Sequence, residues 1–380
     1  MKVALFTETF LPKIDGVTNT LSYVLEYLAR YGHESILFAP DGGPERYHAT
    51  QVYGYVGYSF PIYPELRFVP PHVKVADRLR QFNPDVVHVL NPLSLGLAGQ
   101  WHAKQMGIPV VASFHTDVPG FARRWGFGAV SEGLNYYVRW VHNQADLNLV
   151  PSQTTLRELS AMGYERLKVW TRGVDQDLFN PRRRDDEWRY RLTDGHPEDT
   201  LMVVVSRVSK EKRIDWLRDV LDATPGLRLA IVGDGPTRAE LEQVFRGTKT
   251  VFTGFLKGVP LAKAYAAGDL FVFPSAVETL GNVLLEAMAS GLPVVAAEVG
   301  GPLDIVFNRE NGLFFAPHDK ADLVRQVQRL VNDTTLRREM GVRARAYAET
   351  RSWDTEMQKL FADYAALAAG QPVTNGVVTA

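Results

Sequence analysis

Apolar residues in the first half of the chain come in short unbroken runs, at 3–6, 35–39, 86–90, 109–114 and 147–150. Such runs, bounded by turn formers, predict strands buried on both faces, as in a parallel sheet covered by helices. Between the first two runs the period changes. Leu21, Val24, Leu25 and Leu28 recur at three and four residues until Gly32, which predicts an amphipathic helix with one stripe turned to a core. The second half repeats the scheme with runs at 201–205, 228–232, 251–252, 270–273 and 294–296. Strand and helix alternating twice over predict an α/β protein of two doubly wound lobes with a cleft between them. Residues 181–199 read PRRRDDEWRYRLTDGHPED, charge-dense and poor in strand formers, which places a domain junction there. The expected division is an N-terminal domain at 1–180 and a C-terminal domain at 195–350. A helix at 353–369 is expected to pack back on the first domain, ahead of a loose tail at 370–380.

Length and composition narrow the function classes. A chain of 380 residues suits two domains of ordinary size. With 46% hydrophobic and 22% charged residues and a net charge of −1, it has no bulk electrostatic reason to bind nucleic acid. The absence of cysteine excludes a disulfide framework, a thiolate zinc site, an iron–sulfur cluster and a cysteine nucleophile. The start, MKVALFTETF, has an apolar run that ends at Glu8, too short for a signal peptide, and nowhere do about 18 apolar residues follow one another. A cytoplasmic protein is expected, at most peripheral on the inner face of the membrane.

Ligands of doubly wound sheets sit beyond the carboxyl ends of the strands, so the chemistry is sought there. After the run at 201–205 come Arg207 and Lys212, five apart across a strand-to-helix turn. Both can face one anion such as a nucleotide diphosphate, or they form a solvated basic turn. After the run at 270–273 come Glu278 and Glu286, with Gly281 between them at the opening of a helix. Gly281 would let backbone amides at the positive end of that helix approach phosphate. Glu286 has apolar neighbours Leu284, Leu285, Ala287 and Met288, so its carboxylate needs a partner, and a pair of ribose hydroxyls would satisfy both oxygens. Glu278 is placed to accept from hydroxyls of whatever group hangs off the phosphate. Taken singly, either glutamate also reads as a surface or capping acid.

The string from Glu278 to Glu286, continued by Ala-Met-Ala-Ser-Gly-Leu-Pro-Val, resembles the E-x7-E signature of glycosyltransferase family 4, retaining enzymes of the GT-B fold. The resemblance extends over Asp15-Gly-Val-Thr18, His115-Thr-Asp-Val, Pro151-Ser152, Gly173-Val-Asp175 with Phe179-Asn-Pro181, Arg207 with Glu211-Lys212, Gly233-Asp-Gly-Pro236 and Ser352-Trp353. Within the family the chain is most similar to glycolipid α-mannosyltransferases, with sulfolipid-synthase-like enzymes that use a UDP-linked sugar as neighbours. The resemblance implies that Arg207 and Lys212 bind the donor diphosphate, Glu286 the ribose and Glu278 the hydroxyls of the transferred sugar. Backbone at Leu280, Gly281, Asn282 and Val283 would meet the distal phosphate, and Gly16 would approach it from the N-terminal lobe. His115 would contact the donor sugar, by side chain or backbone. The loop at Gly233 would touch the nucleotide, and base contacts around Thr253 are largely backbone-mediated, which leaves guanine and uracil undecided. The implied reaction moves a hexose from a nucleotide-diphosphate sugar, GDP-mannose first, to a lipid or glycolipid. The leaving phosphate takes the acceptor's proton, and no metal or other cofactor is required. UDP-sugar-dependent glucosyl or sulfoquinovosyl transfer, a GT-B epimerase or phosphorylase, and a silent nucleotide-sugar-binding module are the alternatives.

Two further segments carry chemistry. Asp175-Gln-Asp177 spells D-x-D, a metal-holding pattern in another glycosyltransferase architecture, but in a linker-like stretch a turn or cap is expected. Arg123, Arg124 and Trp125, followed by Phe127, Tyr136, Tyr137, Arg139 and Trp140, mix cations with interfacial aromatics. They suit an anionic membrane surface or a lipid acceptor, or else a helix packed in the lobe with a few exposed arginines. Asp117 either orients an acceptor or caps the following helix.

Overall fold

The computed structural model describes all residues except 14, 61–62, 71, 73, 91, 116–127, 277–279 and 374–380. The chain divides into two compact units, Met1–Arg172 with Asp354–Ala380, and Gly173–Trp353.

The first unit holds β1 (Lys2–Phe6), β2 (Glu34–Pro40), β3 (Arg46–Tyr47), β4 (Thr50–Tyr55), β5 (Tyr58–Phe60), β6 (Tyr63–Phe68), β7 (Val86–Val89), β8 (Val110–Ser113), β9 (Leu147–Val150) and β10 (Leu167–Val169). Eight of these form one sheet in the order β10-β9-β8-β7-β1-β2-β4-β3, while β5 and β6 pair apart. Only the β3–β4 pair of the large sheet is antiparallel. Every residue of β7, β8 and β9 is buried, which is why their sequences show no polar alternation. The helix Gly16–Arg30 buries Leu21, Val24, Leu25 and Leu28 and starts at Asp15, whose side chain accepts from the Thr18 amide. It stops at Gly32, which takes φ +70°.

The last helix, Trp353–Ala368, completes this unit. Tyr364 hydroxyl lies 2.5 Å from His88 Nδ1, Trp170 Nε1 donates to Glu356 O at 3.1 Å, and Lys168 pairs with Asp363 at 2.6 Å. Phe361 packs its ring 4.8 Å from that of Tyr27.

The second unit is one parallel sheet of β11 (Thr200–Val205), β12 (Leu227–Val232), β13 (Thr250–Gly254), β14 (Leu270–Phe273), β15 (Val294–Ala297) and β16 (Gly312–Phe315). Its order is β13-β12-β11-β14-β15-β16. Successive residues of β11 serve opposite faces: Val203 and Val205 join Phe271 and Phe273 on one, Met202 and Val204 join Ile231 and Val272 on the other. From β11 the chain builds outward to β13, then returns to lay β14 on the other side of β11. That reversal leaves a gap above the carboxyl ends of β11 and β14, the place where doubly wound sheets take their ligands.

The expected junction at 181–199 is corrected by the structure. The unit boundary falls at Arg172–Gly173, and the charge-dense stretch belongs to the second unit. Its helix Asp186–Leu192 is anchored by Arg189, whose guanidinium donates to Ala267 O and Asp199 O at 2.6 Å and to Pro197 O at 3.0 Å. The same side chain pairs with Asp269 at 2.8 Å, and Leu192 enters the core. Charge density misled because that arginine spends its donors on buried carbonyls rather than on water.

Candidate functional site

The second unit gathers its polar chemistry at the reversal point. Beyond β11 the chain turns at Ser206–Val208, clamped by backbone bonds from Ser206 N to Val232 O (3.1 Å), Val208 N to Asp234 O (3.0 Å) and Thr237 N to Val208 O (3.2 Å). Exposed Arg207 sits at the apex of that turn. Gly233 has φ +136°, and a Cβ there would lie 1.9 Å from Ser206 O; at Gly235 it would lie 2.3 Å from Val208 O. Packing alone therefore demands both glycines, and their service to the site is to let one strand-end loop press on the other.

Lys212 ends the short 3-10 turn Lys210–Lys212. Its ammonium lies 5.7 Å from the centre of the Phe273 ring, on the last residue of β14. Ser275 Oγ, just past β14, donates to Glu211 O at 3.4 Å and draws the two strand-end loops together. A cation delivered from β11 thus stands at the carboxyl end of β14.

Beyond the same strand, Gly281 adopts φ +87° and caps the helix Asn282–Ala289. Amides in the first turn of a helix have no intrahelical acceptor and carry its positive pole. The Leu280 side chain is buried in the core and fixes where the helix begins, so only its backbone is available to a ligand. Asn282 and Val283 are half-buried in that first turn. Glu286, one turn further on, is also half-buried and accepts from Tyr265 hydroxyl at 2.8 Å. Tyr265 is locked between Phe179 and Phe271, at ring distances of 5.6 and 5.8 Å. Burial pushes the Glu286 carboxyl up to about 7 against the opposing pull of the Tyr265 bond, and the Tyr265 phenol is pushed well above its ordinary value. Thr253, near the end of β13, spends its hydroxyl on Gly254 O at 2.8 Å.

In the first unit, Gly16 opens the helix that follows β1. A Cβ at Gly16 would meet nothing within 4 Å, and its φ is not positive, so neither packing nor backbone geometry demands glycine there. His115 lies two residues past β8. Its Nδ1 meets Arg172 Nη2 at 2.8 Å, and its Nε2 is covered and has no hydrogen-bond partner among the described residues. Burial holds the ring's pKa well below the usual imidazole range, and Arg172, His88 and His142 add to the effect. Glu8, completely buried past the end of β1, accepts from Ser94 N (2.7 Å), Ser94 Oγ (3.0 Å) and Gly96 N (3.1 Å), while burial raises its carboxyl to about 7. It fills the amino end of the helix Leu95–Gln105 from within the protein.

Glu278, Arg123, Arg124 and Trp125 lie outside the described residues, as do Asp117 and Phe127. Of the aromatic segment that follows, Tyr136 and Trp140 are exposed on the helix Gly128–His142, whereas Tyr137 donates to Leu93 O. Asp175 accepts from the Asp177 and Leu178 amides, which makes the D-x-D stretch a turn. Among the described residues no three His, Asp or Glu side chains gather as a metal site, and no helix is long and apolar enough to cross a membrane. Arg172, Tyr265 and Glu8 carry no signal of their own in the sequence. Each matters through a partner on a distant element.

Residues 14–178 match the family described as Glycosyltransferase Family 4, and residues 199–333 match Glycosyl transferases group 1. The sulfoquinovosyl transferase SQD2 of Arabidopsis thaliana is 36% identical over 368 residues, covering 94% of this chain and 72% of its own. A GDP-mannose-dependent alpha-mannosyltransferase of Mycolicibacterium smegmatis is 38% identical over 375 residues, covering 97% of this chain and 98% of its own. Among solved structures, Anabaena Alr3699/HepE in complex with UDP-glucose has a TM-score of 0.78 at 21% identity, over 96% of this chain and 100% of that one. The shared architecture is the GT-B fold, two Rossmann-like α/β units in one chain.

Proposed function

The chain belongs to glycosyltransferase family 4, and on that premise we propose that it moves a hexose, with retention, from GDP-mannose to a lipid or glycolipid acceptor. One observation carries the proposal: Arg207, Lys212 and the Gly281 helix start all belong to the carboxyl ends of β11 and β14, where the strand order reverses. As the glycosidic carbon becomes oxocarbenium-like, negative charge builds on the departing diphosphate. Two cations and a helix pole answer that charge without reorganising, and in many enzymes such fixed charge contributes most of the rate enhancement. Glu286 takes the ribose hydroxyls, Glu278 and His115 the transferred sugar, and Gly16 the distal phosphate. The leaving phosphate accepts the proton of the incoming hydroxyl on the same face of the sugar. The two side-chain cations stand in the place of a metal, so EDTA leaves turnover intact.

The mannosyltransferase relative favours guanine and mannose, while the similar identity of the sulfoquinovosyl transferase supports sulfoquinovosyl transfer as the second reading, for which the family resemblance implies a UDP-linked sugar. Exposed Tyr136 and Trp140 support an acceptor held at a bilayer surface. The deciding experiment incubates the protein with GDP-mannose or UDP-glucose, a glycolipid acceptor in vesicles, and EDTA. Release of GDP coupled to glycolipid mannosylation is expected. Binding without any nucleotide release would leave only a silent module.

Two results test the residue roles. Gly16→Ala should keep or slightly raise the melting temperature, because alanine is the better helix former and has room, yet weaken GDP binding several-fold. Unchanged calorimetric affinity removes Gly16 from the site. The second concerns pH. Hydroxyl donors need the ionised carboxylate, and Glu286 holds its proton up to about 7, so GDP affinity should fall by up to about tenfold per unit as pH drops below that value. In the free protein the sign is opposite: a raised acid stabilises the fold below its unfolded pKa, and that contribution is lost as pH rises through about 7. Glu286→Gln should flatten the binding profile, and a flat wild-type profile excludes Glu286 from the ligand.

A further inference from the structure

Arg172 is the residue at which the chain leaves the first unit, and only 5% of its surface is exposed. Its donors run to neutral acceptors, Nη1 to Trp170 O at 3.2 Å and Nη2 to His115 Nδ1 at 2.8 Å, and its plane lies 4.7 Å from the Trp170 ring centre. Trp170 is in turn fixed by the Glu356 carbonyl of the last helix. The Glu356 carboxylate, 2% exposed and paired with Lys359 at 2.7 Å, supplies the negative field that offsets burial of the guanidinium.

A guanidinium can only donate. The nitrogen it meets on His115 must therefore present its lone pair, and the ring's single proton sits on Nε2. Protonating both nitrogens would set one N–H against another. The neighbouring imidazoles do not disturb this arrangement: His88 is held between Tyr364 hydroxyl and Ser113 Oγ, and His142 against Asn148 Oδ1. Burial lowers the pKa of both, to about 3 and about 4, so neither carries charge near neutrality. The result is an N–H of fixed direction, covered from water and without an acceptor among the described residues. Such a group is costly to leave unpaired, and an oxygen brought by a ligand is its natural complement.

We propose that Arg172 is a positioning residue that fixes His115 as an Nε2–H donor to an oxygen of the transferred sugar. The destination of that N–H rests on the donor reading given above; the tautomer does not. With its only free nitrogen protonated, His115 cannot take the acceptor's proton, which leaves that proton to the departing phosphate. Neither residue acts as a base.

The full chain labelled with 15N-histidine reports the tautomer directly. Long-range proton–nitrogen correlation, with His115 identified by its loss in His115→Gln, should show a protonated Nε2 and a pyridine-like Nδ1. Arg172→Met should mix the two tautomers. A proton on Nδ1, or a doubly protonated ring at neutral pH, overturns the proposal. Calorimetric titration with GDP against GDP-mannose, and UDP against UDP-glucose, then tests the destination. His115→Ala and Arg172→Met should keep diphosphate affinity within about twofold and lose about tenfold in affinity for the matching nucleotide sugar. His115→Gln, whose amide N–H stands near the former Nε2–H, should recover most of that loss. An unchanged sugar-nucleotide affinity in His115→Ala, or no rescue by glutamine, overturns the role. If Arg172→Met does not fold, the wild-type tautomer and the His115 series decide. Failure of all four ligands to bind the wild type overturns the donor reading and the destination together, while the spectrum still decides what Arg172 does.

Discussion

Lys212→Ala is expected to lower kcat by about 10²–10³, the range seen when a charge-stabilising donor is removed, with little change in melting temperature. The stability side is expected to be small because the side chain is half-buried on a surface turn, where a single contact such as that with the Phe273 ring is worth about 0.5–1 kcal/mol. The catalytic side is expected to be large because the ammonium stands at the carboxyl end of β14, the strand that leads to the helix pole opened by Gly281. Removing it leaves the developing diphosphate charge one cation short. Lys212→Arg should recover only part of the rate, because a planar fork does not replace a compact point charge. Nucleotide release under saturating donor, with a thermal melt of the same preparations, measures both sides. Wild-type turnover in Lys212→Ala would remove the diphosphate from the reversal point while leaving family membership untouched.

Gly233→Ala should do the opposite, unsettling the fold first. The backbone at φ +136° is a conformation that side-chain-bearing residues rarely adopt, and the new methyl would lie 1.9 Å from Ser206 O. A carbonyl in a clamped turn is not the far end of a flexible side chain, so the strand-end loops must part. Strain and lost hydrogen bonds together should cost at least about 3 kcal/mol, or roughly 6–12 °C in melting temperature for a unit of this size. Activity should fall further than unfolding explains, because the turn that moves carries Arg207. Set beside Gly16→Ala, the same one-methyl change separates a glycine required by packing from one that only a ligand would require. A melt within about 2 °C of wild type would mean that the turn yields freely.

The strands that the apolar pattern revealed are those buried on both faces, such as β1, β8 and β11, where water contributes no polar alternation. Of the strands the pattern does not show, β16, GLFF, is as apolar and nearly as buried as those it does, but β4 and β10 are of another kind. The sequence of β4 is TQVYGY, with a half-polar burial pattern and a glycine, and β10 has only three residues. Glycines and charges at the ends of apolar runs marked Arg207, Lys212, Gly281 and Glu286, because the ends of a parallel sheet are where buried chain meets solvent. Pairings across the fold left no such mark. Tyr265 stands 21 residues from Glu286, Arg172 stands 57 from His115 and Glu8 stands 86 from Ser94. In each case one partner reads as an ordinary core or turn residue until the fold brings the other to it.

The discontinuity of the first unit also sets an order of events during synthesis. Residues 173–353 form one unbroken stretch and can close on themselves as soon as they emerge. The 172 residues made before them still lack the helix that meets His88 through Tyr364 and holds Trp170 through the Glu356 carbonyl. A chain cut after residue 353 would therefore display a complete second unit, with a first unit left open where the last helix belongs.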